Sequence, residues 1–200
     1  MMKKIIFSAL FLCLFAAPGF ALPEPQAEVE KMVNSVLEVL QNKELTLQQR
    51  KAQVSGRVQG YLNMESMARR TLGPYWDGAT EEQRQRFSDL FVKVLEGTYL
   101  NKIEDYSGGG VVKYLQQRVK DDKAIIDTVI VAEEMEIPVQ YKMIYEGNSW
   151  QVFDVVIEGV SLIRNYRESY GEIIRRDGYD GLFVLMEDKV NAMQGGQTVQ

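Results

Sequence analysis

Between Trp150 and Tyr170 the chain reads WQVFDVVIEGVSLIRNYRESY and changes its hydrophobic period once, from two residues to a helical turn. Gln151 to Ile157 alternates and is β-branched or aromatic at most positions, the pattern of a strand. Phe153, Val155 and Ile157 share an apolar face, while Trp150, Val152, Asp154 and Val156 make a mixed one. Glu158-Gly159 ends the strand, because Gly accepts backbone angles that other residues resist. From Ser161 onward Leu162, Ile163, Tyr166, Tyr170, Ile173 and Ile174 recur at helical spacing. The Ser161 hydroxyl is placed to cap that helix. An apolar strand thus turns sharply into an aromatic-rich amphipathic helix, and the two apolar faces can close on one volume. Either side chains or a guest can fill it.

The preceding chain divides by the same criterion. Val29, Met32, Val33, Val36, Leu37 and Leu40 mark a first helix, and Gln48 to Gly60 reads as a second with a thin apolar face. Asn63 caps a third over Met64 to Leu72, which Gly73-Pro74 ends. Thr80 and Gln83 form a capping box for a fourth, with Phe87, Leu90, Phe91, Val94, Leu95, Tyr99, Ile103 and Tyr106 along one side. After Ser107-Gly108-Gly109-Gly110 the period becomes 2, and strands are expected at about 111–119, 124–133, 137–146 and 150–157 with tight links between them. Val139, Tyr141, Met143 and Tyr145 share one face of the third. Asp180 is placed to cap a last helix reaching Met193. Helices, four strands, then helices predict an α+β fold: a four-stranded antiparallel curved sheet wrapped by helices, NTF2-like.

Residues 1–21 are expected to be a signal peptide: Lys3 and Lys4 precede the apolar run Ile5 to Ala17, with small residues before a cut after Ala21. The run is shorter than the roughly 20 residues a membrane span needs. Residues 22–194 then form a single domain, 195–200 a flexible tail, and the exported protein is expected in the periplasm. The only cysteine, Cys13, lies in the signal, and Phe11 and Leu12 before it do not suit lipid attachment. Removing Lys3 and Lys4 takes the formal charge from −5 to −7. Such an acidic chain without a basic block is a poor partner for nucleic acid or an anionic surface.

A mature chain without His or Cys has no imidazole base, no thiol nucleophile and no Cys/His zinc site. Carboxylate chemistry stays open. Glu133, Glu134 and Glu136 cluster at a hairpin where a charge run is usually solvated, although oxygen ligands for Ca²⁺ can be imagined. Asp154 is a lone carboxylate in an apolar strand, either paired with a cation or backbone donor or catalytic. Arg164 and Arg167, a helical turn apart, are its expected partners and can equally meet a phosphate. Tyr99, Tyr106, Tyr141, Tyr145, Tyr166 and Tyr170 all fall on apolar faces, where each buried phenol needs a partner. They fit a tyrosine-rich core or the wall of a cavity.

The segment DVVIEGVSLIRNYR, with LGPYW at 72–76, ATEEQ at 79–83, F-x-x-L-F at 87–91 and TYLNKIEDYSG at 98–108, resembles the MlaC family of periplasmic phospholipid-binding proteins, also described as toluene-tolerance auxiliary components. Leu62-Asn63 departs from the aromatic-Asp pair frequent there. The resemblance implies a carrier, not an enzyme, that moves phospholipid between the outer membrane and an inner-membrane ABC transporter and so maintains outer-membrane lipid asymmetry. It implies an MCE-domain subunit of that transporter and an outer-membrane lipoprotein–porin complex as partners, and no cofactor beyond the lipid cargo. Acyl chains are then expected between the sheet and the helices at 80–106 and 161–176, against Phe91, Leu95, Tyr99, Val139, Tyr141, Met143, Tyr145, Phe153, Val155, Ile157, Ile163, Tyr166 and Tyr170. Arg164 and Arg167 are the expected headgroup contacts. A small enzyme using Asp154 or a tyrosine on the same cone, and a periplasmic scaffold that binds only proteins, are the competing readings.

Overall fold

The computed structural model describes residues 22–100, 110–132 and 135–194. The signal segment, Ile103, Tyr106, Glu133, Glu134 and the tail lie outside the described residues. Four helices come first: α1 Pro25–Gln41, α2 Leu47–Gln59, α3 Met64–Leu72 and, after a 3-10 turn at Gly73–Tyr75, α4 Glu81–Leu100. Strands β1 Val111–Lys120, β2 Lys123–Ala132, β3 Met135–Glu146, β4 Ser149–Ile157 and β5 Val160–Ser161 follow, and α5 Leu162–Gln194 comes last.

Local chemistry explains most boundaries. The Asn63 carboxamide accepts from the Ser66 N–H at 2.9 Å, and Thr80 and Gln83 bond reciprocally at the start of α4. Thr46 and Gln49 make the same box for α2, a T-x-x-Q signal that the sequence reading passed over. In α5 helical geometry breaks at Gly178, with φ 72° and ψ −173°, two residues before the expected cap at Asp180.

The sheet is an antiparallel meander in the order β1-β2-β3-β4-β5. It has five strands where four were expected. Glu158 and Gly159 both take positive φ, 50° and 82°, so the chain reverses in two residues. Val160 and Ser161 therefore pair back onto Ile157 and Val156 before the helix starts. The opposite edge, β1, is bulged at Leu115 and carries Lys113 and Lys120, features that discourage pairing with another chain.

A second bulge decides which side chains face which core. Tyr141 lies opposite Val155 and Lys142 opposite Asp154, but Met143 lies opposite Val152, which leaves Phe153 as the extra residue. Val155 and Ile157 therefore share a face with Tyr141 and Val139, whereas beyond the bulge Val152 and Trp150 take the equivalent positions. Phe153 turns to the other side, beneath the Arg70 guanidinium at 4.1 Å. The expected apolar face of Phe153, Val155 and Ile157 is thus split by one inserted residue.

Two large clusters result. In the first, Val29, Met32 and Val33 of α1 pack on Ala124, Ile126, Val139, Tyr141, Met143, Trp150 and Val152 of the sheet. Trp150 anchors it, 2 % exposed, edge-on to Tyr145 and donating from its indole N–H to the Pro23 carbonyl at 2.6 Å. In the second, α3, α4 and α5 bury Phe87, Phe91, Val94, Ile163, Tyr166, Leu182 and Met186 together. A smaller contact of Val39, Leu40 and Val54 joins α1 to α2.

Asp154 joins the two halves. Its carboxylate is buried and accepts from Lys142 Nζ at 2.8 Å, from the Ser161 hydroxyl at 2.8 Å and from the Ile163 N–H at 3.2 Å. Ser161 in turn accepts from the Arg164 N–H at 3.1 Å, as its capping role requires. Lys142, the cross-strand neighbour, takes the place expected for Arg164 or Arg167. Neither arginine turns to the carboxylate: Arg164 is exposed, and Arg167 reaches across to α3, where its Nε donates to the Arg70 carbonyl. Replacing Asp154 by Ala removes a cap and a buried ion pair together. A loss of about 2–3 kcal/mol is expected in urea unfolding, while Lys142→Met/Asp154→Leu should recover part of it.

Candidate functional site

α1 presents an apolar stripe to the sheet and does not close on it completely. Met32, Val33, Val36, Leu37 and Leu40 of α1, Val58 of α2, and Gly110, Val112, Ile130 and Tyr141 of the sheet side line a half-open cavity of about 220 Å³. The wall is hydrocarbon apart from the Tyr141 phenol and backbone. Such a wall excludes charge and accommodates aliphatic matter.

This cavity lies against α1 and α2, on the other side from the helices that were expected to cover it. Of the expected lipid contacts, Val139, Tyr141 and Met143 belong to the cluster around it, with Tyr145, Val155 and Ile157 packed beside them. Tyr141 alone of these lines the cavity. Phe91, Leu95, Phe153, Ile163, Tyr166 and Tyr170 are gathered instead into the helical cluster. There the aromatic rings pack on one another, Phe87 stacked on Phe91 at 5.5 Å and Tyr166 edge-on to Phe91 at 5.5 Å. Tyr99 is half-buried near Tyr166. Periodicity identified these faces as apolar; it carried no information on which faces would meet.

The arginines are likewise separated from the cavity. Arg167 Nε donates to the Arg70 carbonyl at 2.6 Å, at the end of α3 where a cation suits the helix dipole. Gly73 allows this approach, since a Cβ there would lie 3.1 Å from Arg167 Cδ. Arg164 is exposed on the outer side of α5. Glu136 pairs with Lys113 at 3.3 Å, and among the described residues no three His, Cys, Asp or Glu side chains converge as a metal site would need. The contributors missed by sequence reasoning are Val58, Gly110, Val112 and Ile130 and, on α1, Met32, Val33, Val36, Leu37 and Leu40. The helical spacing of the α1 residues was legible, but it looked like an ordinary core-facing stripe.

Burial sets the ionisation of the phenols. It pushes Tyr141 up to about 12, helped by Tyr114 and opposed by the Thr128 hydroxyl. Tyr114 is pushed up to about 12 by burial and then by the nearby Glu30 carboxylate. Tyr170 is raised further by burial and by Tyr166. An unfolded tyrosine titrates near about 10. Because the folded values are raised, the stability these groups carry is complete below about pH 10 and is lost as pH climbs through about 12. Urea midpoints should therefore stay level up to about pH 9 and fall between about pH 10 and 12.

A family model described as MlaC protein matches residues 30–188. The chain is 24% identical over 136 residues to the intermembrane phospholipid transport system binding protein MlaC of Haemophilus influenzae, covering 66% of this chain and 64% of that one. It is 26% identical over 103 residues to the toluene tolerance protein ttg2D of Pseudomonas putida, covering 51% and 48%. The matches thus span about half to just under two thirds of these curated relatives. Its backbone superimposes with a TM-score of 0.78 on a phospholipid-binding protein from Ralstonia solanacearum solved in complex with a phospholipid, at 22% identity and covering 86% of this chain and 99% of that one. That likeness concerns the fold; the family model covers most of the chain, and the chain belongs to the MlaC family.

Proposed function

We propose that this protein is a periplasmic phospholipid carrier, holding acyl chains in the cavity between α1, α2 and the sheet. The observation that carries the reading is the hydrocarbon wall of that cavity, in a chain whose relatives are named for phospholipid transport and whose structural neighbour holds a phospholipid. Two acyl chains present about 30 methylenes at roughly 0.8 kcal/mol each, so enclosing them offsets on the order of 24 kcal/mol of exposure. A surface groove covers too little of that.

The cavity of about 220 Å³ is smaller than the roughly 300–1,000 Å³ of pockets that enclose drug-sized ligands. Loading therefore involves movement of α1 away from the sheet, which its modest contact with β2 and β4 favours. Export through a signal peptide cut after Ala21 places the protein between two membranes. There it exchanges lipid with an outer-membrane lipoprotein–porin complex and with an inner-membrane ABC transporter through its MCE-domain subunit. Asp154, the carboxylate that the competing enzyme reading would use alongside or in place of a tyrosine, is engaged by Lys142, Ser161 and the start of α5. This favours carriage over catalysis.

Mass spectrometry of an organic extract of the purified protein is expected to find diacyl phospholipid at near one per chain. An empty extract from protein prepared without detergent would overturn the reading. Leu37→Trp fills the cavity at a cost of about 1–3 kcal/mol in stability, and the folded variant, checked by circular dichroism, should carry several-fold less lipid.

A further inference from the structure

The cavity wall has a polar side chain at one place. Of its ten lining residues, Tyr141 alone carries a side-chain oxygen or nitrogen. On the same sheet face, with β2 between them, stands Tyr114, which does not line the cavity itself but lies two residues along β1 from Val112, which does: Tyr114 pairs with Thr128 of β2, and Tyr141 pairs with Ile126 two residues along. The Tyr114 hydroxyl is buried and has no hydrogen-bond partner among the described residues. Buried polar atoms are rarely left in that condition unless a ligand or water completes them. The neighbouring Thr128 hydroxyl is engaged elsewhere, donating to the Val139 carbonyl at 3.0 Å and lying against the Tyr141 phenol.

The surroundings also set what can be received. Both phenols stay protonated until about pH 12, so each has a proton to donate. The Glu30 carboxylate lies close enough to Tyr114 to raise it, and the same field opposes a second anion there. A neutral acceptor is not opposed. In a diacyl phospholipid the neutral acceptors are the ester carbonyls, which join the polar end to the chains.

We propose that Tyr114 and Tyr141 form the polar subsite of this cavity, donating hydrogen bonds to the ester carbonyl oxygens of a diacyl lipid. The subsite rests on the lipid-carrier reading above and deepens it. It sets how far the chains enter and leaves the phosphate outside the apolar wall, without help from Arg164 or Arg167.

The test compares two phosphatidylcholines of equal chain length, one with ester and one with ether linkages, titrated onto delipidated protein. Wild type is expected to prefer the diester by about 2- to 12-fold for each hydrogen bond gained. Tyr114→Phe/Tyr141→Phe keeps both rings, so it should retain the ether affinity and the melting temperature and lose the preference. A preference undiminished in the double variant overturns the subsite, as does a wild type that binds both analogues equally. A wild type that binds neither refutes lipid carriage itself, and the subsite falls with it.

Discussion

The carboxylate of Asp154 sits where a strand ends, a hairpin reverses and a helix begins, and it bonds to a residue from each of β3, β5 and α5. A charge with so little access to water persists only when its lone pairs are filled and a counter-ion is near. Both conditions are met by neighbours the backbone already places: Lys142 by cross-strand register, and the Ile163 N–H because a helix start leaves donors unpaired. The arrangement fixes the angle at which α5 leaves the sheet. That angle lets Ile163, Tyr166 and Tyr170 reach α4, so the helical cluster depends on a polar contact outside it.

Elements whose cause is local were legible in the sequence. The caps at Asn63, Thr80 and Ser161, the strand limits and the turn at Gly147-Asn148 all follow from residues within a few positions of one another. The β5 pairing was less accessible, because Glu158-Gly159 signals a break equally well whether or not two residues pair back afterwards. The bulge at Phe153 was not accessible at all. An alternating strand looks the same with or without an extra residue opposite Lys142–Met143, and only packing against Arg70 and the helices distinguishes them.

The candidate site was partly legible for the same reason. Tyr141, Val139 and Met143 were recognised as one face, and they do share one core cluster. Which helix covers that face is a long-range question. Two amphipathic candidates were available, the aromatic stripe of α4 and α5 and the aliphatic stripe of α1. Aromatic rings satisfy one another edge to face, whereas the β-branched and flexible side chains of α1 leave a hydrocarbon-lined gap.

The division into two clusters also has an optical consequence. The chain carries two tryptophans, and each belongs to a different half. Trp150 is sealed in the sheet cluster against Tyr145, while Trp76 is half-buried beside the helical cluster with Arg84 5.5 Å above its ring. One indole therefore emits from a dry setting and the other from a charged, partly wet one. Intrinsic fluorescence reports each half of the molecule separately, so motion of α1 over the sheet can be followed in wavelength without attaching a dye.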